Sequence, residues 1–142
     1  MRKGFKNKVY NKLHNKKVVI DGIEFDSKKE GNRYLELRIL ERTGKISDLE
    51  LQKKYELIPA HYEDVETGEF YKTGKRKGQP KTKQICVERA VDYIADFVYQ
   101  ENGQTVVEDI KGYVDPSSAP YAKFVLKRKM MLYFHGIKIR EV

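Results

Sequence analysis

One cysteine and no long apolar run bound this chain before any motif is read. The lone Cys86 cannot close an internal disulfide, and no cysteine cluster has the spacing of a zinc site. No stretch reaches the roughly 20 apolar residues of a transmembrane helix, and the opening MRKGFKNKVYNK lacks the apolar core of a signal peptide. These absences leave a reducing, cytoplasmic setting as the expectation, with no membrane partner and no nucleotide cofactor. At 142 residues the chain is expected to form one domain and to bury a core without disulfide or metal staples.

What is present is positive charge. Twenty-nine Lys and Arg against 21 Asp and Glu give a formal charge of +8, which favours polyanionic partners and says nothing of fold. The cations cluster. Residues 1–17 read as a basic flexible arm, and Lys72 to Lys83 read KTGKRKGQPKTK. Nucleic acid is the polyanion expected, solubilising tails being the plainer use of such runs.

The most informative stretch is Val91 to Lys111, two apolar runs joined by Asn102-Gly103. Asn-Gly between alternating strands is a strong hairpin signal, because both central residues of a type I′ turn take positive φ. With those two as the loop, Glu101 faces Gln104, Val98 faces Val107 and Asp96 faces Asp109. Lys111 shares that face and Glu108 points to the other. Two opposed carboxylates repel. They need a shared proton, a cation or exposure to water.

Around this hairpin the expected order is helix, strand, strand, strand, helix, strand. Asp21-Gly22 marks a small hairpin before a first helix from Ser27 to Gly44, with Tyr34, Leu35, Leu37, Ile39 and Leu40 as its apolar stripe. Ser27 and Glu30 have capping-box spacing. Two roles are open to Glu30: bonding the Ser27 amide, or pointing at the end of a sheet beneath the helix. A strand is expected at about 52–59 with Gln52 at its start, then a mobile basic loop at about 60–83, then a strand at 84–88. A second helix should begin near Ser117 or Ser118 and end at Gly136, ahead of a final strand over 137–142. This is an α/β (α+β) domain over residues 18–142, a mixed sheet flanked by helices.

That order, with Glu30 in the first helix, Asp96 on one hairpin strand and Asp109-Ile110-Lys111 on the next, resembles the PD-(D/E)XK nuclease superfamily. GIEFDSKKEGNRYLEL at 22–37, LELQKKYEL at 49–57 and VEDIKG at 107–112 are similar to a family of small phage-encoded nuclease-like proteins, related in layout to junction-resolving and transposon-end endonucleases. The proline of the motif is replaced by Ala95. The resemblance implies a restriction-endonuclease-like core of order αβββαβ. Asp96, Asp109 and Glu30 would hold Mg²⁺ or Mn²⁺, Lys111 would orient the attacking water, and Gln52 would stand at the site edge. It also implies DNA contacts from Lys28, Lys29, Lys75, Arg76, Lys77, Lys123 and Lys127. The expected function is a metal-dependent DNA endonuclease acting on branched or recombination-intermediate DNA, as a homodimer. The rival is a DNA-binding accessory protein of phage replication or recombination that keeps the fold without cutting. An RNA-binding module would account for the basicity and leave the acid pair unexplained.

Overall fold

The computed structural model describes residues 16–112 and 114–142. The expected basic arm falls outside them apart from Lys16 and Lys17, the latter paired with Glu24 at 2.6 Å. The fold is α+β. In chain order it runs β1 (Val18–Ile20), β2 (Ile23–Phe25), α1 (Lys28–Arg42), β3 (Ser47–Ile58), β4 (His61–Phe70), β5 (Pro80–Glu88), β6 (Val91–Glu101), β7 (Gln104–Asp109), α2 (Ala119–His135) and β8 (Arg140–Glu141). A mixed sheet of order β3-β6-β7-β8 carries the core, with β8 parallel to β7 and the other neighbours antiparallel. Among the described residues, no helix is long and apolar enough to cross a membrane.

Both helices begin and end where their caps dictate. Ser27 Oγ accepts the Glu30 amide at 3.1 Å, and Gly44 follows α1 with φ +71°, letting the Lys45 amide reach back to Leu40 O at 2.9 Å. Ser118 caps α2, and Gly136 closes it in the left-handed region. The apolar stripe of α1 is narrower than expected: Tyr34 and Leu37 are buried, whereas Leu35 and Ile39 face solvent. On α2, Leu132 is likewise exposed, and Phe124 and Met131 make the packed seam.

Each face of the sheet has its own core. Phe25, Tyr34, Leu37, Ile46, Phe97 and Tyr99 pack on the α1 side. Leu57, Tyr93, Ala95, Val98, Val107, Phe124, Met131 and Ile139 pack on the α2 side. The β1–β2 hairpin lies against α1 at Gly31, where a Cβ would come within 2.8 Å of Val18 Cγ2. Glycine permits that close approach and brings the hairpin beside Glu30.

Alternation along a regular strand would put Tyr93, Ala95, Phe97 and Tyr99 on one face. It does not. Tyr93 and Ala95 join the α2-side core, while Phe97 and Tyr99 join the α1-side core. β3 does the same: Leu49 and Leu51 pack towards α1, Tyr55 and Leu57 towards α2. The change falls at Gln52, whose φ of +51° is unusual for a non-glycine strand residue and rotates the chain locally. The flanking pairs Leu51–Phe97 and Lys53–Ala95 place Gln52 opposite Asp96, so both strands exchange faces at one level.

The loop expected over 60–83 is instead a two-stranded ribbon. β4 pairs with β5, and a turn over residues 71–79 joins them. The ribbon prolongs the β3–β6 pair in the same register: from Glu56 opposite Asp92, six residues further along each strand is Tyr62 opposite Cys86. The strand expected at 52–59 begins earlier, at Ser47, and ends at Ile58, and the one expected at 84–88 begins earlier, at Pro80. The final strand is shorter than expected, with pairing at Arg140 and Glu141 alone.

Candidate functional site

The hairpin β6–β7 has the register its turn demands. Asn102 and Gly103 take φ of +51° and +74°, Glu101 pairs with Gln104, and the ladder runs on to Phe97 opposite Glu108. There the backbone pairing stops and the strands part. The Ile110 amide then has no strand partner, and Asp96 Oδ2 accepts it instead, at 2.7 Å. The separation of strands and the position of this carboxylate are one event, because a part-buried N–H needs an acceptor.

Two further groups, Gln52 and through it Glu30, meet Asp96 here. Gln52 Nε2 donates to Asp96 Oδ1 at 3.3 Å and to Glu30 Oε1 at 3.4 Å, tying a strand acid to a helix acid. Glu30 Oε2 accepts the Asp26 amide at 3.2 Å, one residue earlier than the Ser27 amide of the expected capping box. Glu30 thus restrains the helix start and faces the cleft at once. An open cleft before these groups is lined by Lys16, Asp26, Ser27, Lys28, Glu30, Asp96 and Gly112, among others.

Asp109 approaches from the α2 side, and neither it nor Lys111 lines the cleft, where Asp96 and Ile110 do. Tyr93 donates to its Oδ1 at 3.2 Å, and Lys111 forms an ion pair with its Oδ2. The Lys111 ammonium also lies 3.4 Å from the centroid of the Phe124 ring, a cation–π contact that holds it on α2. Burial, then the Asp109 charge, keeps the Tyr93 hydroxyl protonated far above its ordinary range. Tyr93 is therefore a permanent donor to Asp109.

The electrostatics of the cleft are those of unneutralised acids. Burial, reinforced by the charge of Asp96, raises the Glu30 pKa. Burial raises that of Asp96 as well; the Ile110 amide opposes the shift and the Asp109 charge adds to it. Each ionised form would gain from a cation. Among the described residues no three His, Cys, Asp or Glu side chains form a ready metal cage. Mg²⁺ does not need one, since it keeps most of its water and takes one or two carboxylates. Asp109 Oδ2 is buried and is held by the Lys111 ammonium. Glu30 and Asp96, which line the cleft and carry no ion pair among the described residues, are carboxylates of the kind a hydrated divalent ion takes, and Asp109 could join them by exchanging Lys111 for the ion.

Glu108, adjacent to Asp109, faces the opposite side of the sheet. It is fully buried and receives Arg33 Nη2 at 2.6 Å, Arg33 Nε at 2.9 Å and the Tyr99 hydroxyl at 2.6 Å. Arg140 lies 3.7 Å away. Burial opposes its charge, but the Arg33 and Tyr99 bonds outweigh that and hold its pKa below the ordinary value. Burial and the Glu108 contact push the Tyr99 phenol up to about 12.

The structure separates the expected DNA-contacting cations. Lys28 lines the cleft. Lys29 lines it too, yet its ammonium is committed to two backbone carbonyls, Lys111 O at 2.6 Å and Val142 O at 2.7 Å. Lys127 is likewise spent on Asp92 O. Lys123 is exposed on α2 and does not line the cleft. Lys75, Arg76 and Lys77 sit at the far end of the ribbon.

Residues 10–140 match a family described as a protein of unknown function, DUF1064, and so cover nearly the whole chain. The chain belongs to the DUF1064 family. No curated protein and no solved structure matches it. In this DUF1064 protein, sequence reasoning missed Tyr93, Phe124 and Lys29 as supports of Asp109 and Lys111. Tyr93 was hidden by the exchange of faces in β6. Phe124 looked like one more core residue of an amphipathic helix. The one available signal for Lys29 was its place beside the Ser27 cap, at the end of α1 nearest the cleft.

Proposed function

We propose that this protein is a divalent-metal-dependent DNA endonuclease of PD-(D/E)XK type. One observation carries the reading: Glu30 and Asp96, both with raised pKa, are tied through Gln52 at the level where β6 and β7 part, within reach of the charge of Asp109, which is itself paired with Lys111. The order of the core elements, α1, β3, β6, β7, α2, β8, supports the restriction-endonuclease-like layout. A non-catalytic DNA-binding protein has no use for three mutually repelling carboxylates.

Asp96 and Asp109 would hold the ion, with Glu30 contributing from α1. When bound, Mg²⁺ or Mn²⁺ supplies Lewis-acid stabilisation of the phosphoryl oxygen and acidifies a water. The protein's own groups do the positioning. Lys111, braced by Phe124 and Asp109, presents its ammonium where it can orient water and offset charge on the phosphate. Lys29 fixes the backbone carbonyl of Lys111 from α1 and so helps to position that residue. Tyr93 holds one Asp109 oxygen and Lys111 the other, so that an ion would reach Asp109 by displacing the lysine. Lys16 and Lys28 on the rim take the phosphate backbone; such contacts position DNA without reading sequence.

Branched DNA is the proposed substrate, and two sites in a homodimer would cut both strands of a junction. A cleavage panel of four-way junction, flap, single strand and plain duplex, with Mg²⁺, Mn²⁺ or EDTA, tests this. Metal-dependent cutting with preference for the junction is expected. Preference for plain duplex by a monomer would overturn the junction assignment, and no cutting of any substrate would leave the accessory-protein reading.

A further inference from the structure

The ribbon has a segregated charge that the cleft does not explain. Residues 70–80 carry Lys72, Lys75, Arg76 and Lys77 and no acid. The rest of the ribbon carries Glu63, Asp64, Glu66, Glu69 and Glu88 against Lys81 and Lys83. Lys81 is itself paired with Glu69 at 3.1 Å. Among the described residues, Lys72, Lys75 and Lys77 make no ion pair. The turn that presents them is held by Tyr71, whose amide donates to Gln79 O at 3.0 Å and whose carbonyl accepts the Gly78 amide at 2.9 Å. Arg76 lies over the Tyr71 ring at 5.9 Å.

The stem repels a polyanion and the tip attracts one. The stem therefore acts as a spacer. From Gln52 at the cleft to Phe70 the strand contour is at most about 60 Å at 3.3 Å per residue, with register shifts between Glu56 and Ile58 and between His61 and Tyr62 where the sheet gives way to the ribbon. At 3.4 Å per base pair this contour corresponds to about 18 base pairs.

We infer that the ribbon tip is a second duplex-binding site, which grips DNA backbone up to about 18 base pairs from the cleft and engages together with it. The inference rests on the nuclease reading for the occupancy of the cleft. It gives the protein a two-point footprint whose outer contact is sequence-independent and strongly salt-sensitive.

The test is fluorescence anisotropy of the full chain on labelled 12- and 40-base-pair duplexes in EDTA, at several salt concentrations. Wild type is compared with a variant carrying Lys72→Ala, Lys75→Ala, Arg76→Ala and Lys77→Ala, and with one carrying Lys72→Arg, Lys75→Arg and Lys77→Arg. On the long duplex the alanine variant should bind about 10- to 100-fold more weakly, and its log K against log salt slope should be shallower by about 3. On the short duplex, where both points cannot engage, the loss should stay within about 3-fold, and the arginine variant should match wild type on both. No loss on the long duplex would overturn the inference. Equal losses on both lengths would overturn the joint grip, since the tip would then act alone. The nuclease reading fails separately, through absence of metal-dependent cutting by wild type, which binding in EDTA does not register.

Discussion

Glu108→Ala should lower stability by about 3–5 kcal/mol, equivalent to a fall of about 10–20 °C in Tm for a domain of this size. The substitution removes the acceptor for two Arg33 bonds and the Tyr99 hydroxyl. It leaves a guanidinium with only 20 % of its side chain exposed, whose remaining acid is the surface residue Glu36. Truncating one member of a buried pair is costly chiefly because the other charge stays behind. Glu108→Gln should lose less, because the amide oxygen still accepts from Tyr99. The pH dependence follows in sign. A carboxylate whose folded pKa is depressed contributes stability above its unfolded pKa of about 4.3 and loses it as pH falls through the lower folded value. Thermal melts from pH 7 to pH 3 should therefore show the gap between wild type and Glu108→Ala closing only at the acid end.

Asp96→Asn should do the reverse. Asp96 has a raised pKa, so its ionised form costs stability at neutral pH, and that cost appears as pH rises from the unfolded value of about 3.9 through the folded one. The asparagine oxygen can still accept the Ile110 amide, while Gln52, an exposed side chain, can rotate away. In EDTA at pH 7 the variant should melt above wild type, and its advantage should shrink as acid protonates Asp96 in the wild type. Added Mg²⁺ should raise the wild-type Tm and move the variant little. Cleavage should fall by more than about 10²-fold, since even outer contacts of a metal site are worth 10- to 100-fold. Two acids on neighbouring strands of one sheet thus have opposite effects: removing Glu108 unfolds the protein, and removing the charge of Asp96 stabilises it and silences it.

Much of this site was legible because short-range chemistry determines it. Asn102-Gly103 needs positive φ at two successive residues, and that alone sets which residues of β6 and β7 oppose each other. The pairing puts Asp109 and Glu108 on different faces without reference to Lys111. Ser27, Gly44, Ser118 and Gly136 mark the helices through local backbone bonding. Features arising from non-local packing were not legible. Gln52 carries no mark of a left-handed conformation, and its rotation exchanges the faces of both strands. Strict alternation would have put Tyr93 beside Phe97; the structure sends it to Asp109. The ribbon was hidden because its residues are polar on both sides. With no core to face, β4 and β5 show none of the hydrophobic periodicity by which strands are recognised. Lys29 was read by its charge, whereas its role depends on two carbonyls more than 80 residues away in sequence.

In the proposed function, Asp109 and Lys111 act together at a metal-dependent hydrolytic centre. The most direct measurement is single-turnover cleavage of an end-labelled junction by wild type, Asp109→Asn and Lys111→Ala, with Mg²⁺ or EDTA, alongside junction binding in EDTA. Cutting by wild type in Mg²⁺ alone, with both variants bound to the junction and inactive, is the expected result. Undiminished cutting by either variant, or cutting by wild type in EDTA, would contradict it.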